Sequence, residues 1–525
     1  MPDGQARDRT RWWTLLAVCL GTFMLLLDIT IVNVALPDIQ QSLGSSFADL
    51  QWVVDAYALT LASLLLTAGS LADMYGRRRL YLVGLVVFTV ASVLCGAAAS
   101  TLMLELCRAL QGLGGAVMFS VSLALLANAF RGRERGVAFG VWGAINGVAV
   151  AVGPVLGGAL VSGLSWRAIF FVNVPIGSAA VVLALTRVAE SRERRASRPD
   201  WAGFVLFTGG LAALVFALIE SGRSSFTDTV VLACFGVAVA LLVTFVVVEA
   251  RREHPMFDLG LFWLPTFSGG AFAAFGISAS LYSMLLYLVL YLQDVLGYSA
   301  FGTGLRLLVL SGCVLAVSGL AGRLTSHVPV RLLIGAGLVL TGVGLLLMRG
   351  LDASSSWTHL IAGLAVAGIG SGFVNPPLAS TAVGVVPARR AGMASGINST
   401  FRQVGIATGI ALLGTLFSNR LSGAVVDLVG GTPLAGRGEQ IASALRSGQA
   451  GELFRRAHSH AEAGLLQHVA RAGFTTALDH ILLVAAVISL VSGVAAFALI
   501  RRKDFVEHPG GDTQQPAAVG DGTAV

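Results

Sequence analysis

The feature that most constrains this chain is a recurrence. Apolar runs long enough to cross a bilayer follow one another from Trp12 to Ile500, parted by short charged turns. A helix needs about 20 apolar residues to span the hydrocarbon layer. By that measure about fourteen segments qualify, near 12–36, 50–71, 80–98, 102–129, 137–161, 168–185, 202–219, 230–248, 267–292, 304–320, 332–348, 360–386, 393–417 and 481–500. Composition agrees: of 525 residues 55% are hydrophobic and only 12% charged, against about 25% charged in a soluble domain. No soluble core could hide so much apolar chain. The expected fold is an all-α polytopic membrane protein in which lipid is the solvent for most side chains.

The charge of +7 sits in the turns and not on a binding face, so it is a topology signal and excludes nucleic acid as a partner. Alternate loops are basic: Arg77–Arg79, Arg131/Arg133/Arg135, Arg187–Arg198, Arg251/Arg252, Arg323/Arg331, Arg389/Arg390 and Arg501–Lys503. The loops between them hold only isolated arginines (Arg167, Arg223, Arg349) and several acids. Short basic loops stay cytoplasmic, so an even number of spans puts both termini inside. The basic N-terminus leads into an apolar run without a small-residue cleavage site, which reads as a retained first span. The expected organisation is a six-helix bundle over 1–190, a linker with two extra transmembrane helices over 191–260, and a second six-helix bundle over 261–503. The second bundle carries a long extracytoplasmic loop over 418–480, and residues 504–525 form a disordered cytoplasmic tail. The histidines of the long loop suit a solvated loop helix better than a metal site.

Ionisable side chains at membrane depth are costly, so each is a candidate for function. Asp28 lies about nine residues from the outer end of its span, Asp55 about five residues into the second, and Glu105 and Arg108 about three to six into the fourth. At about 1.5 Å per residue all four occupy the outer half of the bilayer. Asp28 and Arg108 then form either a static pair that orients helices or a pair made and broken by protonation. Asp55 is open to an interfacial reading and Glu105 to a pair with Arg108 one turn on. Arg402, with Asn398 one turn before it, places a polar face inside the thirteenth span that should line a cavity. Gly143, Gly147, Ala151 and Gly158 form a small-residue stripe in the fifth span, with Gly153 and Pro154 at the same level; such a stripe lets helices approach closely. Asn375–Pro376–Pro377 is an expected break in the twelfth span.

Enzymatic signatures are missing. The single lysine, Lys503, lies in the tail, so there is no phosphate-binding G-K-[ST] loop; H-E-x-x-H and G-x-S-x-G do not occur. The five cysteines fall singly in apolar runs without metal spacing. Neither a cofactor nor a metal is expected, and an ion gradient is the natural energy source.

Several of these segments resemble those of the fourteen-span drug:proton antiporters of the major facilitator superfamily. The run from Leu27 through Asp28 and Asn33 to Pro37 is similar to that family's first-helix signature. Gly69, Asp73, Gly76, Arg77 and Arg78 resemble the superfamily's loop motif between the second and third spans. Arg108 with Gln111, Gly112 and Gly115 resembles the fourth-helix motif, and Gly147, Gly153, Pro154, Gly157 and Gly158 resemble the antiporter motif of the fifth span. Trp166, Arg167, Phe170, Asn173 and Pro175 match the start of the sixth, and Gly392 through Arg402, Gln403 and Gly405 a late-span pattern. The resemblance implies two six-helix bundles plus two inserted helices, alternating access, and export of antibiotic-like small molecules from a bacterial cell against protons. Asp28 and Arg108 would couple protons, Asp73 with its arginine neighbours would close an inner gate, and Asp55, Glu105, Asn33, Asn398 and Arg402 would line the cargo cavity. The implied partners are a lipophilic small molecule, cations included, protons and the bilayer of the cytoplasmic membrane, with the chain acting as a monomer. The tenth span carries no acid between Leu307 and Leu320, a departure that argues against divalent cations as cargo. The competing readings are a metabolite importer or exporter on the same fold, and a non-transporting membrane sensor.

Overall fold

A computed structural model describes residues 2–505 apart from 46, 131, 192–200, 224–225, 253–258, 326, 388–389, 431, 433 and 447–459. The expected tail beyond Phe505 and most of the charged linker lie outside the described residues. So do the side chains of Asn33 and Pro154.

The described residues form helices and turns, with no strand among them. The first half holds α1 (Pro2–Leu43), α2 (Phe47–Tyr75), α3 (Arg77–Gly96), α4 (Thr101–Ala129), α5 (Gly132–Gly163), the short α6 (Ala168–Phe171) and α7 (Asn173–Arg187). An antiparallel pair follows, α8 (Trp201–Arg223) and α9 (Thr229–Ala250). The second half holds α10 (Pro265–Ile277), α11 (Ser283–Leu290), α12 (Ala300–Leu324), α13 (Val330–Leu347), α14 (Ile361–Gly384), α15 (Ala391–Val429), α16 (Gly438–Arg446) and α17 (His460–Leu499). Among the described residues, twelve helices are long and apolar enough to cross a membrane, or thirteen with the bent α2. The expected fourteen is not reached by that measure. The remaining segment, 137–161, falls inside the 32-residue α5.

Helix starts follow local chemistry. Ser100 accepts from the Met103 amide at 3.3 Å, Asp228 from Val230 at 2.8 Å and Ser299 from Gly302 at 3.1 Å, each filling a donor the first turn leaves open. Gly76 turns the chain between α2 and α3 at φ 111°, a conformation that suits glycine. α1 runs through Pro37 to Leu43, and the expected break in α14 is absent: that helix runs unbroken through Pro376 and Pro377. In α14 the Asn375 amide nitrogen donates to the Ser371 carbonyl at 3.1 Å, and buried neighbours hold the rest of the turn.

Within the first half α2 and α3 pack on α4, and α1 packs on α5, α4 and α7; within the second, α12 and α13 pack on α14, and α17 on α13, α15 and α10. α8 leans on α2 and α15, one helix from each half, with the Thr67 and Thr208 hydroxyls 2.9 Å apart. α9 covers α8 and turns Val230, Val237, Val239 and Val243 outward, as a lipid-facing helix does.

The two halves meet at one end of the bundle, where the arginine-bearing turns lie. There α5 lies against α12 so closely that a Cβ on Gly136 would come within 2.2 Å of the Gly322 carbonyl oxygen. One buried core joins Leu123, Phe130 and Phe139 of the first half to Ala379, Val383 and Ala391 of the second. At the far end the core around Leu27, Ile31, Trp166 and Phe170 is drawn from the first half alone. α15 and α17, 39 and 40 residues long, exceed the roughly 20 needed to cross a bilayer and pack with α16 around Leu421, Val425, Ile441 and Leu466, fastened by Arg437–Glu462 at 2.7 Å. Much of the expected loop 418–480 is therefore helical.

Candidate functional site

Two of the sequence candidates come together in the first half. Asp28, on α1, and Arg108, on α4, are fully buried and form an ion pair. Their setting is crowded with matched partners. Arg108 Nε donates to the Val53 carbonyl of α2 at 3.0 Å and Nη1 to Gln111 Oε1 at 2.7 Å, while the guanidinium lies 4.3 Å over the Tyr57 ring. Asp28 Oδ1 accepts from Gln111 Nε2 at 2.8 Å and from Asn173 Nδ2 at 3.0 Å. Both amides also donate to Ser92 Oγ, at 2.7 and 3.2 Å. Five helices, α1, α2, α3, α4 and α7, thus converge on one carboxylate–guanidinium pair. Removing either partner would leave an uncompensated buried charge, a loss of about 3–5 kcal/mol.

Glycine brings α4 this close. A Cβ on Gly112 would lie 2.5 Å from the Tyr57 carbonyl oxygen, and one on Gly114 2.6 Å from the Phe88 amide nitrogen. On the other side of α1, a Cβ on Gly153 would sit 1.8 Å from Thr30 Oγ1 and one on Gly157 2.9 Å from Ile31 Cγ1. α5 is thereby pressed against the residues that immediately follow Asp28. Asp55 lies two residues beyond Val53 on α2, and Glu105 one turn before Arg108 on α4; both are half-buried.

The fifth-span stripe therefore has two faces. Gly153 and Gly157 serve the packing on α1, whereas Gly136, Gly140, Gly143 and Gly147 meet the second half. Gly140 faces the Ser318 carbonyl at 2.9 Å, Gly143 Pro376 and Asn375, and Gly147 Val314 at 3.2 Å. Gly158 departs from expectation: a Cβ there would meet nothing within 4 Å. It lies 18 residues after Gly140, five whole turns at 3.6 residues each, so it continues the same face into the region where the halves have parted.

The loop motif divides its labour. Asp73 is the member that reaches the other half: Oδ1 holds Arg77 at 2.8 Å and Oδ2 accepts from the Met393 amide at 3.0 Å, in the first turn of α15. A carboxylate at a helix N-terminus is favourable on both hydrogen-bond and dipole grounds. Ser395 reinforces the junction by donating to the Ser120 carbonyl at 2.5 Å. Arg78 instead stays inside the first half, donating to the carbonyls of Ala184 and Leu185 at the end of α7. The amides of Arg78 and Arg79 bond the Glu190 carboxylate at 3.1 and 3.2 Å, beside Gly76. Gly69 is buried one turn before Asp73.

A second polar cluster occupies the second half. Arg402 Nη1 donates to Asn375 Oδ1 at 3.0 Å and Nε to Asn398 Oδ1 at 3.4 Å. Asn375 Nδ2 in turn reaches the Tyr282 hydroxyl at 2.9 Å and Ser371 Oγ at 3.0 Å. Asn398 lines a narrow crevice with Phe267, Ala271, Thr381 and Ile397. Tyr282 and Ser371 carry no sequence motif. Gln111, Asn173 and Asn375 stand within motifs, but their hydrogen-bonding roles become visible only once the helices are packed.

Comparison with known proteins places the chain. Residues 18–410 match the Major Facilitator Superfamily. The chain is 41% identical over 416 residues to the Multidrug resistance protein Stp of Mycobacterium tuberculosis, covering 79% of this chain and 77% of that one. It is 34% identical over 500 residues to the Tetracenomycin C resistance and export protein of Streptomyces glaucescens, covering 94% and 92%. To the Puromycin resistance protein pur8 of Streptomyces alboniger it is 36% identical over 429 residues, covering 81% and 85%. Among solved structures it shares its fold with the human organic anion transporter MFSD10, at a TM-score of 0.60 and 16% identity, covering 91% of this chain and 99% of that one.

Proposed function

The chain belongs to the Major Facilitator Superfamily, and from that premise we propose that it exports antibiotic-like small molecules across the cytoplasmic membrane in exchange for protons. It is a multi-pass membrane transporter and not an enzyme. In the proposed orientation the basic end, closed by Asp73, Ser395 and the α5–α12 seam, is cytoplasmic, and both termini lie on that side. The conformation described above is then the outward-facing one.

The observation that carries the coupling is the buried Asp28–Arg108 pair with its complete set of partners. Protonation of Asp28 removes the negative charge that balances Arg108. The guanidinium then gains by moving to another acceptor, and the helices it ties, α1, α2 and α4, gain freedom with it. In reverse, a returning Arg108 favours release of the proton. Asp28, on α1, bonds residues of α4 and α7 directly and reaches α3 through the two amides that share Ser92, so a change of its charge is felt across the first half. Cargo enters from the cytoplasmic side when the α5–α12 seam opens and leaves through the far end when it closes.

The test uses proteoliposomes loaded with a dye that the protein binds. An imposed pH gradient should drive uphill movement in the wild type. Asp28→Asn should abolish uphill movement while downhill dye-for-dye exchange persists, because the isosteric amide keeps the cluster filled. Uphill transport by Asp28→Asn would remove the proposal's basis. Names among the relatives, such as a tetracenomycin exporter, support small organic molecules as cargo over ions or sugars.

A further inference from the structure

The polar cluster of the second half differs from that of the first in one respect. Among the described residues bonded within it, it holds a positive charge and no negative one. Arg108 has Asp28, but the groups around Arg402 are all neutral: Asn375, Asn398, Tyr282 and Ser371. Arg402 Nη2 is shut off from solvent and bonds to nothing among the described residues. Amide oxygens satisfy two of its donors and leave the charge itself uncompensated, which is unfavourable unless a partner arrives.

The surrounding backbone is built to present this group. Gly405 and Gly409 bring α15 so close to its neighbour that a Cβ on either would lie 2.6 Å from a carbonyl oxygen, of Phe275 and of Ala279. Between α10 and α11 the chain forms a π-helical stretch, Ser278–Tyr282, with Tyr282 at its end. Wide turns of this kind gather at functional sites, where the extra residue re-aims a side chain. Asn375 is held by Ser371 just before the two prolines of α14. The cluster also faces the seam between the halves: the nearest neighbours of a Cβ on Gly143 of α5 are Pro376 at 3.6 Å and Asn375 at 3.7 Å.

We propose that Arg402 selects the charge of the cargo, binding a carboxylate or similarly acidic oxygen of an otherwise apolar molecule, with the Tyr282 hydroxyl and the Asn375 amide beside it. A guanidinium offers two parallel donors to such a group. This rests on the reading of the chain as a small-molecule exporter and names the class of molecule. It opposes the cationic cargo that the family resemblance allows.

The experiment measures binding of two xanthene dyes, anionic fluorescein and cationic rhodamine 123, to the full chain in lipid nanodiscs without any gradient. Fluorescein should bind the wild type at least about tenfold more tightly than rhodamine 123. Arg402→Gln should lose about tenfold or more for fluorescein and nothing for rhodamine 123, and Arg402→Lys should retain most of the preference. Asn375→Asp supplies an internal carboxylate at the oxygen that Arg402 already bonds. It should suppress fluorescein binding as Arg402→Gln does, with almost no change in volume. Unchanged fluorescein affinity in Arg402→Gln would overturn the proposal. So would equal loss of both dyes in Arg402→Gln with normal binding of both by Asn375→Asp. If fluorescein binds as expected but proteoliposomes never move it, the export reading fails and the recognition site stands. If transport proceeds while the two dyes bind alike, the recognition site fails and the export reading stands.

Discussion

Gly136→Ala should loosen the closed end of the bundle without disturbing either half. The added Cβ would lie 2.2 Å from the Gly322 carbonyl oxygen, about 1.2 Å short of the 3.4 Å at which van der Waals contact becomes ordinary. Both sides of this contact are backbone, so no rotamer can relieve it, and α5 and α12 must separate. Overpacking of this kind costs about 1–3 kcal/mol. In the proposed cycle the same contact is broken when the basic end opens, so the cost falls on the closed state alone. The ratio of open to closed molecules should therefore rise by about 5- to 150-fold. Paired spin labels at Val83 and Leu332, exposed positions on α3 and α13, report the separation of the halves by electron–electron resonance once the partly exposed Cys234 and Cys313 have been replaced by serine. The wild type should give mainly the short distance and Gly136→Ala a mixture dominated by a longer one. An unchanged distance distribution in a well-folded variant would refute the argument that this glycine contact holds the end shut.

The reverse perturbation is Gly158→Leu, on the same face of α5 but with open space before it; it should leave the label distance short and block transport by obstructing closure of the far end, and full transport would count against that role. Asp73→Asn gives up the charge that holds both Arg77 and the Met393 amide, so the label distance should lengthen here too, by an equilibrium shift of about tenfold for the loss of about 1.5 kcal/mol; no shift would mean that α5 and α12 close the end by themselves. Asn173→Ala removes one of the three donors on Asp28 and one of the two amides that donate to Ser92, so thermal unfolding should show a loss of about 1–3 kcal/mol, while Asn173→Asp, which sets a second acid beside the first, should lose more; equal stability of Asn173→Asp and wild type would contradict the geometry.

Much of this arrangement was legible in the chain because lipid makes the rules strict. An acid and an arginine at the same depth in an apolar environment have to find partners, so Asp28 and Arg108 could be paired from position alone. Small residues at helical spacing implied close approach, and Gly112 and Gly153 show it. Gly158 sits at helical spacing with the packing glycines, yet a Cβ there meets open space, because spacing fixes the face a residue occupies and not whether a neighbouring helix lies against it. The prolines of α14 were read as a break, but an asparagine side chain and buried neighbours hold the turn. Tyr282 escaped notice because a π-helical turn shifts the facing of a helix by one residue without marking the sequence. The two inserted helices were visible as apolar runs, yet only packing reveals that α8 rests on both halves at once.

The two arginine sites, one internally balanced and one not, bear on how the proton gradient is used. If one proton enters for each monovalent cation that leaves, no net charge moves, and only the pH difference drives export, about 1.36 kcal/mol per pH unit. If the cargo is a monovalent anion, the same exchange moves two net positive charges inward, one as the proton and one as the departing anion. The membrane potential then adds about 2.3 kcal/mol per charge per 100 mV, or about 4.6 kcal/mol in all. One coupling acid suffices for strongly uphill export of an anion, whereas a cation would call for a second proton. Asp28 is the carboxylate paired with Arg108 in the buried cluster, and Arg402 is the group that would bring an anion to the other half. The balance of charges between the halves is thus consistent with a one-proton cycle whose force comes mainly from the potential. Collapsing the potential with valinomycin and potassium, while the pH gradient is kept, should then stop most export of an anionic dye. Export that persists undiminished would point to a neutral or cationic cargo form.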